Sequence, residues 1–427
     1  MEFADVNSQR AAKGKNANLA RRPAARAAMS SKIGTAVTVM ALVALAFPNS
    51  LMFDLDGRVI FLHYLALAIA IPLLILLRQA TLQTVKPVLP VLGMISVSTL
   101  INYSSADLVV VFFHVLHLIA IMLLAACPGA VAMRFAKVTI MIYAVAILLA
   151  QILILVGASS IVEWLLISNG DGGAARVAAF ATEPSYAAML LLIFTRFVMV
   201  FEIEWLNPRR LGVIIGALLA TLSLFALISA LLILAMYLYR RGDIRAMVLV
   251  LAGGGMLLTA VSFTGFFTDR ISALDLSLGA EGLGTGSVRL QPYLYMGTIL
   301  PSNPWPLLFG AGAGYLEQAF YYDLGNFGSS ASRLTMHMAG PIYDYGLAAV
   351  LPILFMWNRP ENLGERSLYL LMAVAVMLNT GIGSYLFIIF GTFALLEQRF
   401  RTQSGRSSTP AAQTARKQGK RHASATA

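Results

Sequence analysis

Residues 176–186 place an arginine and a glutamate at the entrance to an apolar run, in a chain that has few charged residues. The segment reads Arg176-Val-Ala-Ala-Phe-Ala-Thr-Glu183-Pro184-Ser185-Tyr186. Charged side chains at such a boundary are energetically costly, and they usually mark a functional site. A carboxylate can act as a base and a guanidinium can bind phosphate, so the pair favours chemistry on an anionic, lipid-linked substrate.

A purely structural role is the alternative for the same pair. Pro184 suits the first turn of a helix, which would place Glu183 near the N-cap and the positive end of the helix dipole. Glu183 would then be a capping carboxylate, with Arg176 solvated nearby. In the functional interpretation, Glu183 is a base at a cavity in the membrane interface and Arg176 binds phosphate.

Two candidates lie further along the chain. Arg289 stands near the start of residues 286–300, where apolar and aromatic residues with few polar ones are typical of a short helix in the membrane interface. Its guanidinium can form paired hydrogen bonds with pyrophosphate oxygens, and snorkelling to lipid headgroups is the alternative. His337 precedes an apolar run and is a candidate catalytic or phosphate-contacting group.

Two other patterns are better explained by packing. His114 and His117 share one helical face, which is compatible with a metal or a proton relay, but packing within a bundle is favoured. Gly310, Gly312 and Gly314 form a glycine-rich run without a preceding strand or a following Lys-Ser/Thr, so a nucleotide loop is excluded. Tight turns near a binding cavity explain these glycines better. The sequence predicts neither a metal site nor a cofactor.

Composition determines which elements must position these residues. Hydrophobic residues make up 59% of the chain and charged residues only 12%, against about 25% in soluble domains. This composition predicts an all-α polytopic membrane protein, because helices satisfy their own backbone hydrogen bonds in lipid. The single cysteine, Cys127, excludes an intramolecular disulfide and a cysteine-cluster metal site. We expect it to be a small buried apolar residue.

The net charge of +11 is concentrated outside the apolar runs. Seven Lys or Arg residues lie in 1–32 and seven in 397–427, in segments without apolar periodicity. Residues 1–32 and 398–427 are therefore predicted to be disordered basic tails that contact anionic lipid headgroups on the cytoplasmic side. This distribution argues against a nucleic-acid partner.

Most apolar runs are close to the roughly 20 residues needed to cross a bilayer. They cover about 33–53, 59–77, 87–103, 108–127, 138–158, 185–203, 245–263 and 340–357.

Two longer runs are predicted to form short helical hairpins. The run 211–239 has an arginine pair at each end, and a turn near Thr221-Leu222-Ser223 keeps both pairs on one side. The run 367–397 is interrupted at 379–384.

These assignments give about twelve transmembrane helices in residues 33–397, with both termini cytoplasmic. The positive-inside bias supports the arrangement, since only five of the 31 Lys and Arg residues fall on the external side. Arg196 lies within a predicted span, near its cytoplasmic half, where it can snorkel. Two external segments, about 159–184 and 264–339, are long enough to carry function, and the second is expected to contain short helices.

In the order and sidedness of these features the chain resembles the bacterial Wzy-type polysaccharide polymerases, which make O-antigen and exopolysaccharide and are related to the O-antigen ligases. The resemblance covers most of residues 33–397. It rests on the number of spans, the long external loop and three local patterns. These are residues 176–186 entering a span, residues 287–289 followed by 304–312, and His337 followed by Gly346 at the start of a span.

The resemblance implies a GT-C-like glycosyltransferase of the bacterial inner membrane. Such enzymes act on undecaprenyl-pyrophosphate-linked oligosaccharide at the periplasmic face, and transfer a growing chain from its lipid carrier to a newly flipped repeat unit. The implied partners include the flippase and the chain-length regulator of the same pathway. Glu183 would be the base or would orient the acceptor, with Arg176 and Arg289 on the pyrophosphate and His337 as a further catalytic candidate.

Three tyrosines, Tyr186, Tyr293 and Tyr345, are candidates for stacking on sugar rings.

Two other functions remain open. A ligase of the O-antigen type would transfer finished glycan to an acceptor, and the Glu-Pro-Ser-Tyr pattern favours the polymerase over it. A transporter or flippase of lipid-linked sugars would carry charged residues deep within several spans and an internal repeat. The sequence shows few charges within the predicted spans and no convincing repeat.

Overall fold

A computed structural model describes most of the chain between residues 29 and 407. The described residues are 29–48, 52–55, 58–77, 82–158, 160–162, 166–167, 176–181, 183–262, 304–314, 339–347, 363–378, 380–382 and 384–407. Arg289, Tyr293 and His337 lie outside these ranges, and for Arg176 the backbone alone is described.

The regular secondary structure of the described residues is helical apart from two antiparallel pairs of short strands. The helices are α1 (Met29–Ala46), α2 (Leu62–Leu76), α3 (Leu82–Val85), α4 (Leu89–Ile101), α5 (Leu108–Leu124), α6 (Gly129–Leu155), α7 (Pro184–Phe201), α8 (Pro208–Ala220), α9 (Leu224–Arg240), α10 (Ile244–Ser262), α11 (Trp305–Phe309), α12 (Ala339–Tyr345), α13 (Leu363–Met377) and α14 (Tyr385–Ser407). The strands are β1 (Met52–Leu55) paired with β2 (Arg58–Phe61), and β3 (Leu166–Ile167) paired with β4 (Arg176–Val177).

Within these ranges, α1, α6 and α7 are long and apolar enough to cross a membrane. Shorter apolar helices lie within α2, α4, α5, α9 and α10. A helical protein with membrane-spanning segments is thus supported, whereas the count of about twelve spans stays a prediction. One short helix, α11, falls in the external segment predicted at 264–339.

Both predicted hairpin breaks are confirmed. Helices α8 and α9 are separated by Thr221, Leu222 and Ser223, and Leu222 has a positive φ of 51°. The arginines at the open end of this hairpin lie close together. Arg210 packs over the Trp205 ring, and Arg241 lies 3.9 Å from the carboxylate of Glu204, the residue before Trp205. Helices α13 and α14 are likewise interrupted between Met377 and Tyr385.

Three helix boundaries differ from the sequence prediction. Helix α1 begins at Met29, inside the predicted tail 1–32, and α14 continues to Ser407, beyond the predicted tail boundary at 398. Helix α6 begins at Gly129 rather than near 138. In each case the helix continues through polar or basic residues, which form helical hydrogen bonds as readily as apolar ones. A hydropathy pattern registers only the apolar part of such a helix.

Helix α7 lies at the centre of the bundle. Every residue from Pro184 to Met199 is buried, and the helix packs against α6, α9 and α14. A helix that is buried on all sides needs apolar residues around its whole circumference, and α7 has them apart from a few polar positions. Its two ends carry different polar residues, Glu183 just before the first turn and Arg196 near the last turns.

Candidate functional site

The segment before α7 is buried and locally strained. Arg176 pairs with Ile167 through the backbone of β4 and β3, and Val177 beside it is fully buried. Ala179 adopts a positive φ of 51°, in the left-handed region that non-glycine residues rarely occupy. Such strain persists only where surrounding contacts hold it, and it tends to occur at functional sites.

Phe180 anchors this segment to the bundle. Its ring meets Phe47 edge-on at a centroid distance of 5.3 Å and Tyr143 at 5.8 Å. The Tyr143 hydroxyl donates a hydrogen bond of 2.5 Å to the carbonyl oxygen of Ala46. Helices α1 and α6 therefore fix the position of the chain as it approaches Glu183.

Glu183 stands immediately before α7 with extended backbone, at φ −147° and ψ 154°. Its carbonyl oxygen accepts the amides of Tyr186 and Ala187, which starts the helix. Glu183 is the N-cap residue, as the structural alternative expected, but its carboxylate forms no capping hydrogen bond. Instead, Glu183 Oε2 accepts a hydrogen bond from Ser185 Oγ at 3.2 Å, and the residue is partly exposed.

Aromatic rings join the starts of three helices next to Glu183. Tyr186 on α7 contacts Tyr385 at the start of α14, with ring centroids 6.1 Å apart. Tyr385 also contacts His63 at the start of α2, at 5.4 Å. Sequence reasoning selected Tyr186 but missed His63 and Tyr385. The signal that both carry is their position at the first turn of an apolar helix.

Tyr345 belongs to a different cluster and is fully buried. Its hydroxyl lies 2.8 Å from Nδ1 of His114 on α5, which confirms that this histidine packs and forms a hydrogen bond within the bundle. Tyr345 as a sugar-stacking group stays a prediction. The described residues contain no group of three or more His, Cys, Asp or Glu side chains arranged for a metal ion.

The glycine-rich run joins distant parts of the chain. The amide of Ala311 donates to the carbonyl of Tyr343 at 2.7 Å, and the amide of Asp107 donates to the carbonyl of Ala313 at 2.7 Å. Gly310 has a φ of 77°, and a Cβ at this position would overlap the carbonyl oxygen of Asp344. The run therefore holds residues 304–314 against α12 and against the turn before α5.

The opposite end of α7 carries a buried ionic network. Arg196 forms a two-point ion pair with Glu397 on α14, and its guanidinium also stacks over the Tyr369 ring at 4.2 Å. Arg401 joins Glu397 at 3.0 Å and Glu365 at 3.2 Å. The expectation that Arg196 snorkels is wrong, because Glu397 satisfies its charge inside the bundle.

Among the predicted residues that the structure describes, those near α7 are neighbours in sequence, and Tyr345 lies elsewhere. Glu183 and Tyr186 lie on one short stretch that follows the backbone of Arg176, whereas Tyr345 lies in the cluster around His114. Comparisons of this chain with family models, with curated proteins and with solved structures give no match.

Proposed function

We propose that this protein is an inner-membrane glycosyltransferase that polymerises undecaprenyl-pyrophosphate-linked repeat units, as the Wzy-type polymerases that it resembles do. The observation that carries the proposal is the placement of Glu183. Its carboxylate is partly exposed at the start of a buried helix, beside Tyr186 and after a strained, anchored segment that begins at Arg176.

The proposed reaction transfers a growing glycan from its lipid carrier to a sugar hydroxyl of the next repeat unit. The hydroxyl oxygen bonds to the anomeric carbon of the glycan, and the bond from that carbon to the pyrophosphate oxygen breaks. The pyrophosphate leaves with its lipid and takes the bonding electrons. Glu183 accepts the proton of the attacking hydroxyl. Arg176 and Arg289 stabilise the charge that develops on the leaving pyrophosphate.

The test is a polymerisation assay with purified protein and lipid-pyrophosphate-linked repeat units, followed by sizing of the products. Wild type should yield a ladder of lengthened chains. Glu183→Gln keeps the shape and hydrogen-bonding capacity but removes the base, so we expect the rate to fall by about 10²-fold or more. Glu202→Gln changes the same residue type at the other end of α7, where the carboxylate pairs with Lys137, and should leave the rate unchanged.

The products separate this proposal from its alternatives. A ligase would move preformed chains to an acceptor without lengthening them, and a transporter would move lipid-linked sugar across vesicles without forming a glycosidic bond. Full polymerisation by Glu183→Gln would refute its role as the base.

Two further variants test the phosphate ligands. Arg176→Lys and Arg289→Lys keep the positive charge but lose the planar pair of donors that matches phosphate oxygens, so both should slow polymerisation. Normal yield and chain length at normal protein levels in either variant would contradict a paired contact with phosphate at that position.

A further inference from the structure

The network at the far end of α7 carries an unbalanced charge. Three arginines, Arg196, Arg240 and Arg401, share two glutamates, Glu365 and Glu397, so the five side chains have a net charge of +1. Side-chain exposure within this group is at most 27%, and that value belongs to Arg240. A positive charge held in such surroundings favours binding of an anion.

An open pocket lies against this network, and its wall has a polar and an apolar part. Arg196, Arg240, Glu365 and Tyr239 line the polar part. A guanidinium has five N–H donors, so a single carboxylate partner such as Glu365 does not exhaust the donors of Arg240. The polar part therefore offers arginine donors in a form suited to phosphate oxygens.

The apolar part of the wall indicates what carries the anion. Met236 and Leu368, both buried, line the pocket beside the arginines. A free phosphate ion gains nothing from such a surface, whereas a lipid headgroup can place its first alkyl carbons there. A further arginine, Arg210, stands at the same end of the bundle, where its positive charge attracts anionic headgroups.

We propose that this pocket, between α7, α9 and α13, binds the phosphate of an anionic lipid headgroup. The site lies near the opposite end of α7 from Glu183 and does not depend on the proposed reaction. Arg240 provides the main phosphate contact, and Arg196, fixed by Glu397, provides the second.

The test measures binding of phosphatidylglycerol by the purified full-length protein in detergent, using native mass spectrometry, with phosphatidylcholine and inorganic phosphate as the other two ligands. Wild type should bind phosphatidylglycerol at least tenfold more tightly than either. Arg240→Gln should weaken that binding at least tenfold. Arg241→Gln removes the same charge from the neighbouring residue, which lies outside the pocket lining and is 43% exposed, and should change binding by less than twofold.

Arg240→Lys guards against loss of folding in the glutamine variant, because it keeps the charge opposite Glu365. It should weaken phosphatidylglycerol binding at least threefold while the melting temperature stays close to that of wild type. Equal losses in the variants at 240 and 241 would show that general electrostatic attraction accounts for the binding. Equal affinity for phosphatidylcholine, or tighter binding of inorganic phosphate, would also overturn the proposal.

Discussion

The two ends of α7 are held in place by different kinds of contact. At the Glu183 end, aromatic rings pack in pairs, Phe180 against Phe47 and Tyr186 against Tyr385, and loops dock through backbone hydrogen bonds. At the other end, arginines and glutamates from four helices form a continuous ionic network. Glu183 and Arg196 are 13 positions apart in the sequence, which corresponds to about 20 Å along a helix.

The carboxylates at the two ends, Glu397 and Glu183, differ in their hydrogen-bond partners. Both oxygens of Glu397 accept hydrogen bonds from Arg196, and Arg401 shares one of them, so this residue joins helices and cannot readily take a proton from a substrate. Glu183 receives a hydroxyl hydrogen bond from Ser185 and is partly exposed. The Glu397 carboxylate thus joins helices, whereas the Glu183 carboxylate is partly exposed at the start of α7.

The strongest test of the comparison removes the network carboxylate. Glu397→Gln leaves Arg196 and Arg401 without their shared partner, and breaking a buried pair of this kind costs about 3–5 kcal/mol. We expect a corresponding loss in the free energy of unfolding, measured by denaturant titration in detergent. Glu183→Gln changes a partly exposed residue, so it should lower that free energy by less than Glu397→Gln does, while it slows the proposed polymerisation by about 10²-fold or more.

The matched control is Glu202→Gln, which breaks the more exposed pair with Lys137. Exposed pairs contribute about 0–1 kcal/mol, so the loss should be several-fold smaller than for Glu397→Gln. Equal losses for the two variants would mean that burial does not distinguish the two pairs, and the contrast between the ends of α7 would fail.

The next test concerns the backbone contacts at the Glu183 end. Gly310 and Gly242 have similar φ angles of 77° and 80°, but a Cβ would overlap Asp344 at Gly310 and would meet nothing within 4 Å at Gly242. Both alanine variants carry the strain of a positive φ, and Gly310→Ala adds a steric clash. Its loss in unfolding free energy should exceed that of Gly242→Ala by about 1–3 kcal/mol. Equal losses would show that the close approach at Gly310 is unimportant.

A smaller effect is expected from removing a single hydroxyl group in the same region. The buried Ser98 hydroxyl contacts the carbonyl oxygens of Phe309 at 2.6 Å and Asp344 at 3.2 Å. Ser98→Ala should lower the free energy of unfolding by about 0.5–1.5 kcal/mol. Ser96, two residues away, bonds only within its own helix and is exposed, so Ser96→Ala should change it by less than about 0.5 kcal/mol. A reversed order would contradict docking through Ser98.

Sequence reasoning succeeded where a local pattern and a physical constraint coincide. The turn at residues 221–223 followed from two arginine pairs that had to share one side of a membrane, and the break before Tyr385 followed from a polar interruption. The contact between Arg196 and Glu397 could not be predicted in this way, because 201 residues separate them and only helix packing brings them together.

The candidate site was predictable to a similar degree. The position of Glu183 before α7 follows from Pro184 and the apolar run, which are local features. Its surroundings depend on His63 and Tyr385, which come from distant helices, and on the left-handed backbone of Ala179. Nothing in the residue type at 179 reveals that backbone conformation.

The last test uses Cys127 at the network end, where burial and a nearby arginine charge shift the thiol pKa in opposite directions. Burial raises the pKa of the Cys127 thiol to about 11, although Arg399 nearby acts in the opposite direction. At pH 8 the thiolate, which is the reactive form, is therefore about 100-fold scarcer than in an unfolded chain. A maleimide should label Cys127 at least 100-fold more slowly in the folded protein than after denaturation, as mass spectrometry can follow. Rapid labelling of the folded protein would mean that the charge of Arg399 outweighs burial at this end of the bundle.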